Sequence, residues 1–215
     1  MENAFEDRLA RRLRGLRSDA SLTLDELAAR SGVSRSTISL AERAESSPTA
    51  HSLDRLAAAL GVTMASLFTE PDGDVDASPL ARRTDQTIWR DPASGYRRRT
   101  LSPSGYASTI ALAEIELKPG TEVALDDPSR PMRVDQQVWV LGGALEIDVG
   151  DVRHRLETGD CLAMDLDRPS RFRNPGSKTA RYLVAIAAAA PATSRAGAAA
   201  AAATKVAGGR RTRRG

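Results

Sequence analysis

Residues 23–62 read TLDELAARSGVSRSTISLAERAESSPTAHSLDRLAAALGV, and this stretch decides the fold of the first third of the chain. Thr23 and Glu26 form a capping-box pattern, which predicts the start of a helix. Gly32 tolerates the left-handed backbone that a tight turn requires, and Ser34 is a suitable cap for the next helix. A helix, a three-residue turn that contains Gly, and a second helix together predict a helix-turn-helix.

Three further helices are predicted around this unit. Apolar residues recur at helical intervals near the N-terminus and predict an amphipathic first helix: Phe5, Leu9, Leu13 and Leu16. Pro48 and Thr49 begin a fourth helix that ends at Gly61, and Thr63 caps a short fifth helix. We therefore expect a five-helix domain over residues 1–69.

From residue 86 the pattern changes to short alternating segments separated by Gly, Pro and Asp. The strand candidates are residues 87–89, 97–101, 107–117, 122–124, 136–141, 144–149, 153–156, 161–165, 171–174 and 181–186. Many short strands at this spacing predict an antiparallel sandwich or jelly roll. The expected fold class is multidomain α + β, with a linker over 70–85, a β-barrel over 86–187 and an Ala-rich, basic, disordered tail over 188–215.

The charge of the chain is unevenly distributed. Lys and Arg number 31 against 28 Asp and Glu, for a formal charge of +3, yet residues 187–215 hold six basic residues and no acid. The positive excess therefore lies in the predicted tail, and it is no evidence that the folded part binds nucleic acid. The tail resembles a basic arm for phosphate, although a merely solubilising role is equally open.

Other composition features exclude several classes of protein. One cysteine cannot form an internal disulfide, and two histidines leave little room for histidine-based metal chemistry. No bulky apolar run is long enough to span a membrane, and the N-terminus has no signal-like apolar segment. We expect a cytoplasmic protein with no membrane partner, and we expect Cys161, on a predicted strand, to be buried.

Residues 23–62 resemble the helix-turn-helix of phage-repressor-like regulators, the xenobiotic-response-element family. The resemblance rests on the Gly-Val-Ser turn, the Ser-Thr-Ile-Ser run, the Glu-Arg pair at 42–43 and Pro48. It implies a five-helix lambda-repressor-like domain, with helix three (about 34–43) in the major groove of double-stranded DNA and a homodimer on a palindromic operator. The DNA-contacting residues that it implies are Thr23, Ser34, Arg35, Ser36, Thr37, Ser39, Leu40 and Arg43.

Residues 138–186 resemble a cupin, a jelly-roll barrel, through a Gly-containing turn, a Gly-Asp turn and the prolines that follow. Many cupins bind a metal with two His and a Glu in a first motif and a third His in a second. Here Gln136 stands at the Glu position and Ser170 at the third His position, and the paired His would fall within 129–132, which reads SRPM. We expect no metal, no cofactor and no catalytic residue, because these side chains are not transition-metal ligands.

A barrel without metal still encloses a possible pocket. Its mouth is expected to hold a small polar or anionic effector, with Arg130, Arg133, Gln136, Trp139 and Ser170 as candidate lining residues. The alternative is a filled core without ligand, in which Trp139 simply packs.

The sequence therefore predicts a transcriptional regulator that is not an enzyme, with the cupin domain as a small-molecule sensor, a dimerisation module, or both. Two other classes remain open. One is a cupin enzyme with a DNA-binding appendage, and the other is an antitoxin-like module that binds a protein partner.

Overall fold

The computed structural model describes residues 2–68, 77–106, 108–125 and 134–188. The predicted tail, apart from residue 188, and residues 70–76 of the predicted linker lie outside the described residues. Among the described residues no helix is long and apolar enough to cross a membrane.

The described part of the N-terminal third folds into five helices, as predicted. They are α1 Glu2–Asp19, α2 Leu24–Ser31, α3 Arg35–Glu42, α4 Ala50–Ala59 and α5 Met64–Leu67. Thr23, Ser34, Thr49 and Thr63 each cap a helix with the side-chain oxygen. Gly32 closes α2 with a φ of 64°, the left-handed conformation that the turn between α2 and α3 requires. We call these helices, residues 2–68, the head.

Ten strands follow in the described part of the chain. They are β1 Ile88–Arg90, β2 Arg97–Thr100, β3 Ile110–Leu117, β4 Glu122–Leu125, β5 Val134–Gly142, β6 Ala144–Val149, β7 Val152–Glu157, β8 Cys161–Asp165, β9 Ser170–Arg173 and β10 Ala180–Ala188. They form a six-stranded sheet in the order β1-β2-β3-β10-β5-β8 and a four-stranded sheet in the order β4-β9-β6-β7, with every pair antiparallel. This two-sheet barrel confirms the predicted antiparallel cupin fold.

The barrel core lies between the two sheets because side chains alternate across each strand. Val138 and Val140 of β5 are buried and stand opposite Val184 and Tyr182 of β10. Phe172 of β9, in the four-stranded sheet, stacks on Tyr182 with ring centroids 6.1 Å apart. The two inner faces thus interdigitate, as in other sandwiches.

The head packs directly on the barrel. An aromatic series joins the two parts: Phe68 at the end of α5 lies 5.9 Å from Phe5 and 5.4 Å from Trp89 of β1, and Trp89 lies 6.1 Å from Tyr96. Burial of each of these rings contributes about 1.5–3 kcal/mol. The head and the barrel therefore share one hydrophobic core, although a linker separates them in the sequence.

Polar contacts fix the same interface. The barrel carboxylate of Asp91 accepts a hydrogen bond of 3.2 Å from the backbone N–H of Ala50, the first residue of α4. Arg8 of α1 donates to the hydroxyl of Thr87 at 3.0 Å. These directional bonds set the orientation of the head on the barrel, which apolar contact alone does not specify.

Candidate nucleic-acid interface and interdomain cavity

The outer face of α3 is the candidate DNA-reading surface. Ile38 and Ala41 are buried against the head core, so the opposite side of this helix faces outward. Arg35, Ser36, Leu40 and Arg43 are exposed there, together with Ser34 at the cap, whereas Thr37 and Ser39 are half-buried. Most of the predicted DNA-contacting residues thus lie on or beside the outer side of α3, whereas Thr23 caps α2 and Arg43 directly follows the last residue of α3.

Two acidic side chains hold the arginines of this surface. Arg35 forms an exposed ion pair with Asp25 of α2, with 3.1 Å between Nε and Oδ1. Arg43 binds Glu45 through two hydrogen bonds, of 2.8 and 2.9 Å, and also donates to Ser39 Oγ at 3.0 Å. Glu45 raises the pKa of Arg43, and the Arg43 guanidinium lowers the pKa of Glu45, so this pair stays ionised at neutral pH.

The N-terminus of α2 is closed by its own capping box. Glu26 accepts hydrogen bonds from both the backbone N–H and the hydroxyl of Thr23, each 2.8 Å long, and these bonds lower the pKa of Glu26. Thr23 is thus engaged in a local cap. A phosphate at this helix end would meet the N–H groups of Leu24 and Asp25 more readily than the Thr23 side chain.

A largely buried ion pair holds α3 against α1. Arg17 donates to both oxygens of Glu42, at 2.7 and 2.8 Å, and to the carbonyl of Leu22 at 2.8 Å. Only 16% of the Arg17 side chain and 7% of the Glu42 side chain are exposed. Arg17 therefore serves to position α3, and its guanidinium does not belong to an open phosphate-binding surface.

A cavity lies where the head meets the barrel, and its volume is about 40 Å³. It is lined from the head by Ala50, Asp54, Met64 and Ala65, and from the barrel by Tyr96, Arg98, Val123, Leu125, Gln136, Leu166, Phe172, Tyr182, Val184 and Ile186. We call this the interdomain cavity. Helices α4 and α5 close a barrel that would otherwise be open on this side.

The polar groups of the interdomain cavity are deeply buried. Arg98 is 5% and Asp54 is 1% exposed, and Gln136 donates to the sulfur of Met164 at 3.7 Å. Burial raises the pKa of Tyr96 against the opposing effect of Arg98, which donates a hydrogen bond to the phenol, and it raises the pKa of Tyr182 further. Both phenols therefore stay neutral at physiological pH.

Strand alternation explains why one of three consecutive arginines enters this cavity. Arg97 and Arg99 of β2 point outward and pair with Glu116 and Glu114 of β3. Arg98 lies between them, so its side chain points inward, where it stands 5.0 Å above the ring of Phe68 in the head. Arg98 and Asp54 were not among the predicted pocket residues. The signal for each was a charged residue at an inward position, of a strand for Arg98 and of a helix for Asp54.

The predicted pocket residues separate in the structure. Gln136 lines the interdomain cavity, and Ser170 is buried on the inner face of β9 without lining that cavity. Trp139 was expected to line the pocket, and this prediction is wrong, because it lies an odd number of residues from Gln136 on an alternating strand and is 48% exposed on the outer face. Arg130 and Arg133 lie outside the described residues.

Cys161 also differs from the prediction. It was expected to be buried but is exposed, since it stands opposite Trp139 on the outer face of β8, the edge strand of the six-stranded sheet.

The described residues do not fit the metal that many cupins bind. Gln136 and Ser170 occupy two of the ligand positions, and neither is a common ligand of a transition metal. Within the described ranges no group of three or more His, Cys, Asp or Glu side chains lies close enough together to hold a metal ion. Residues 129–132, the remaining positions, lie outside those ranges.

The fold and the site define a helix-turn-helix head mounted on a cupin barrel, and comparison with known proteins agrees. Residues 13–67 match the Helix-turn-helix family, and residues 113–186 match the Cupin domain family. Protein SchB of Streptomyces halstedii is 40% identical over 98 residues, which span 45% of this chain and 69% of that protein.

Solved structures add the arrangement of the two domains. An HTH_3 family transcriptional regulator from Vibrio cholerae superposes with a TM-score of 0.67 at 24% identity, over 87% of this chain and 98% of that one. This likeness shows a common fold for head and barrel together. The match to the hydroxypropylphosphonic acid epoxidase of S. wedmorenis covers 85% of this chain and 97% of that one at 20% identity. Its TM-score of 0.40 is too low to indicate a shared overall fold.

The chain belongs to the phage-repressor-like helix-turn-helix proteins that carry a C-terminal cupin domain. It is therefore a DNA-binding transcriptional regulator.

Proposed function

We propose that this cytoplasmic regulator reads a palindromic operator as a homodimer and that its metal-free cupin barrel senses a small effector. The observation that carries the proposal is the outer face of α3. Arg35, Ser36 and Leu40 are exposed there, and so are the two capping residues, while the other side of the helix is buried. That arrangement suits insertion of the N-terminal half of α3 into the major groove.

Arg35 is the principal base reader in this proposal. Its side chain is 61% exposed at the start of α3, and the guanidinium donors suit the O6 and N7 acceptors of guanine. The reading surface also includes Ser34, Ser36, Thr37, Ser39 and Leu40. Arg43 contacts the DNA backbone, and Thr23 lies at the N-terminus of α2, near a phosphate. The Asp25 carboxylate must release Arg35 when DNA binds.

Dimerisation is proposed through the outer face of the six-stranded sheet. Trp139 is exposed there beside small or apolar neighbours in adjacent strands, which are Cys161, Ala163, Leu183 and Ala185. We call these five residues the outer sheet patch. A second copy would cover the patch symmetrically and bring two heads to one operator, since a single head offers too small a contact area for useful specificity.

The sensor role rests on the interdomain cavity. A mostly apolar lining with a few buried polar groups is typical of ligand sites, and here part of that lining belongs to the DNA-reading head. The residues at the described cupin ligand positions, Gln136 and Ser170, are not common ligands of transition metals, so the barrel is proposed to work without such a metal and without catalysis.

Selection of genomic DNA fragments by the purified protein tests the reader. We expect a short palindrome to be enriched, and Arg35→Ala to lose discrimination at one position of each half-site, by about 1–3 kcal/mol. Arg168→Ala serves as the matched control, because Arg168 is an exposed arginine of the barrel with only a 3.9 Å contact to Asp167.

Two results would redirect the proposal. Binding that is blind to sequence, salt-sensitive and unchanged by Arg35→Ala would assign the affinity to non-specific charge and move the partner-binding module to first place. A metal that co-purifies in stoichiometric amount would revive the cupin enzyme with a DNA-binding appendage.

A further inference from the structure

The interdomain cavity carries two opposite buried charges, one from each domain. Arg98 comes from β2 of the barrel, and Asp54 comes from α4 of the head. We infer that this cavity binds a small zwitterion, an α-amino acid with a short apolar side chain, with its carboxylate on Arg98 and its ammonium on Asp54. The inference deepens the sensor role and rests on the proposed function only where it concerns DNA.

Arg98 provides the anion-binding end. It is 5% exposed, and within the part of the chain that the structure describes its Nε atom has no hydrogen-bond partner. A buried donor without an acceptor costs about 1–3 kcal/mol, so a ligand oxygen that accepts from it is favoured. A carboxylate suits this position best, because a guanidinium binds one through two parallel hydrogen bonds.

Asp54 provides the cation-binding end. It is 1% exposed and lies one helical turn after Ala50, so both line the same side of α4 facing the barrel. An ionised carboxylate offers about four acceptor positions, which leaves room for a ligand ammonium beside the bonds it already makes. A simple carboxylic acid would bring a second negative charge close to Asp54, whereas the ammonium of a zwitterion is attracted to that carboxylate.

The remaining wall selects a short apolar side chain. Aliphatic and aromatic residues from both domains make up most of the lining, including Met64 of the head and Ile186 of the barrel. An open groove of about 480 Å³ between α4 and β4 shares Ala50 and Val123 with the cavity and offers a route of entry.

The size of the cavity couples binding to the head. A volume of 40 Å³ holds about three water molecules at ~10–15 Å³ each. Even alanine, with six heavy atoms, requires the wall to move. The sheets are held by backbone hydrogen bonds, whereas α4 and α5 meet the barrel mostly through side chains, so the helical wall yields first. Ligand binding thus shifts the DNA-reading head relative to the barrel.

Calorimetric titration of the full-length protein without DNA tests the site. The probes are L-alanine and two truncated forms of it: propionate, which lacks the ammonium, and ethylamine, which lacks the carboxylate. We expect alanine to bind and each partial analogue to bind at least ~10-fold more weakly. In a Trp139→Phe background Trp89 is the only tryptophan, and its fluorescence should change with alanine because its ring packs at a tilt against Phe68 at the moving wall.

Variants separate the two ends of the site. Arg98→Gln should abolish alanine binding, while Arg97→Gln, on the same strand but the opposite face, should leave it unchanged. If Arg98→Gln fails to fold, Asp54→Asn tests the site from the head: it should reduce the preference for alanine over propionate by about tenfold or more. Propionate binding as tightly as alanine, or no binding of alanine at millimolar concentration, overturns the inference.

Because these titrations contain no DNA, they are independent of operator recognition. An enriched palindrome with no zwitterion binding would leave the regulator in place and remove only the ligand class. Zwitterion binding without an operator would do the reverse.

Discussion

The indole N–H of Trp89, in the first strand of the barrel, donates a 3.1 Å hydrogen bond to the hydroxyl of Ser47, in the loop before α4. Trp89 is 2% exposed, so its side chain is largely shielded from water, while Ser47 is half-buried. The contact joins residues 42 positions apart and ties the orientation of the head to the barrel. The helix that follows Ser47 then lies with Ala50 and Asp54 over the interdomain cavity.

Removal of that acceptor should destabilise the protein. We predict that Ser47→Ala lowers the free energy of unfolding by about 1–3 kcal/mol, because it leaves a buried indole N–H unpaired. Denaturant unfolding followed by tryptophan fluorescence measures the loss. Ser46→Ala is the matched control, because Ser46 precedes Ser47 in the sequence and is exposed. This substitution should change the free energy of unfolding by less than about 0.5 kcal/mol. Equal effects of the two variants would contradict the prediction.

The Arg17 and Glu42 pair should affect DNA binding without touching DNA. We predict that Glu42→Gln costs about 1–3 kcal/mol of stability, because a largely buried guanidinium loses its charged partner. Operator affinity should also fall, since α3 is no longer fixed against α1. Glu45→Gln, which breaks the exposed Arg43 pair, should leave stability nearly unchanged. Thermal unfolding and operator titration measure the two effects.

The capping box of α2 predicts a pH dependence. Hydrogen bonds from Thr23 lower the folded-state pKa of Glu26 below its usual value of about 4.3. The stabilisation is therefore fully present above that unfolded-state value and disappears as the pH falls through the lower folded-state pKa. NMR titration of the Glu26 carboxyl should show the low pKa in the wild type and a return toward the usual value in Thr23→Ala. Glu45, whose pKa Arg43 lowers, should stay unchanged and serves as the internal control.

Local signals predicted most of this fold. The caps at Thr23, Ser34, Thr49 and Thr63 are side chains that accept from the backbone N–H three residues later, so the sequence alone locates them. The ten strands were likewise located by local signals, namely the strand spacing and the turn residues between them. Helix periodicity likewise placed the proposed reading residues of α3 on its outer side.

Long-range contacts were not predictable in this way. Phe68, Trp89 and Arg98 meet across a linker that suggested separate domains, and nothing local in the sequence records which surface of the head meets the barrel. Arg98 was overlooked because a run of three arginines suggests a solvated strand, whereas alternation turns the middle one inward. Trp139 was also misplaced. It lies three residues after Gln136 on the same strand, so alternation turns its side chain to the outer face.

The outer sheet patch predicts a dimer that one substitution disrupts. We predict that Trp139→Glu converts the dimer to a monomer, because a charge would be buried at the centre of an apolar interface. Sedimentation velocity measures the mass. Val152→Glu is the control, since Val152 is equally exposed on the other sheet. A wild-type protein that is monomeric, or a Trp139→Glu variant that stays dimeric, would place the interface elsewhere.

The ion pair between Arg35 and Asp25 predicts a variant with increased DNA affinity. In the free protein Asp25 holds Arg35 at 3.1 Å, although both side chains are well exposed, 61% for Arg35 and 77% for Asp25. An exposed pair of this kind is worth about 0.2–1 kcal/mol, and that energy opposes DNA binding because Arg35 must leave Asp25 to reach a base. We therefore predict that Asp25→Asn raises operator affinity by up to about fivefold.

Titration of labelled operator at fixed salt measures the change, and Asp151→Asn, which removes an exposed charge from a barrel turn, controls for net charge. The decisive measurement is the double variant Asp25→Asn with Arg35→Ala. If Asp25 acts by restraining Arg35, Asp25→Asn gives no gain once Arg35 is absent. A gain that persists would contradict the prediction and mean that Asp25 acts by repelling phosphate.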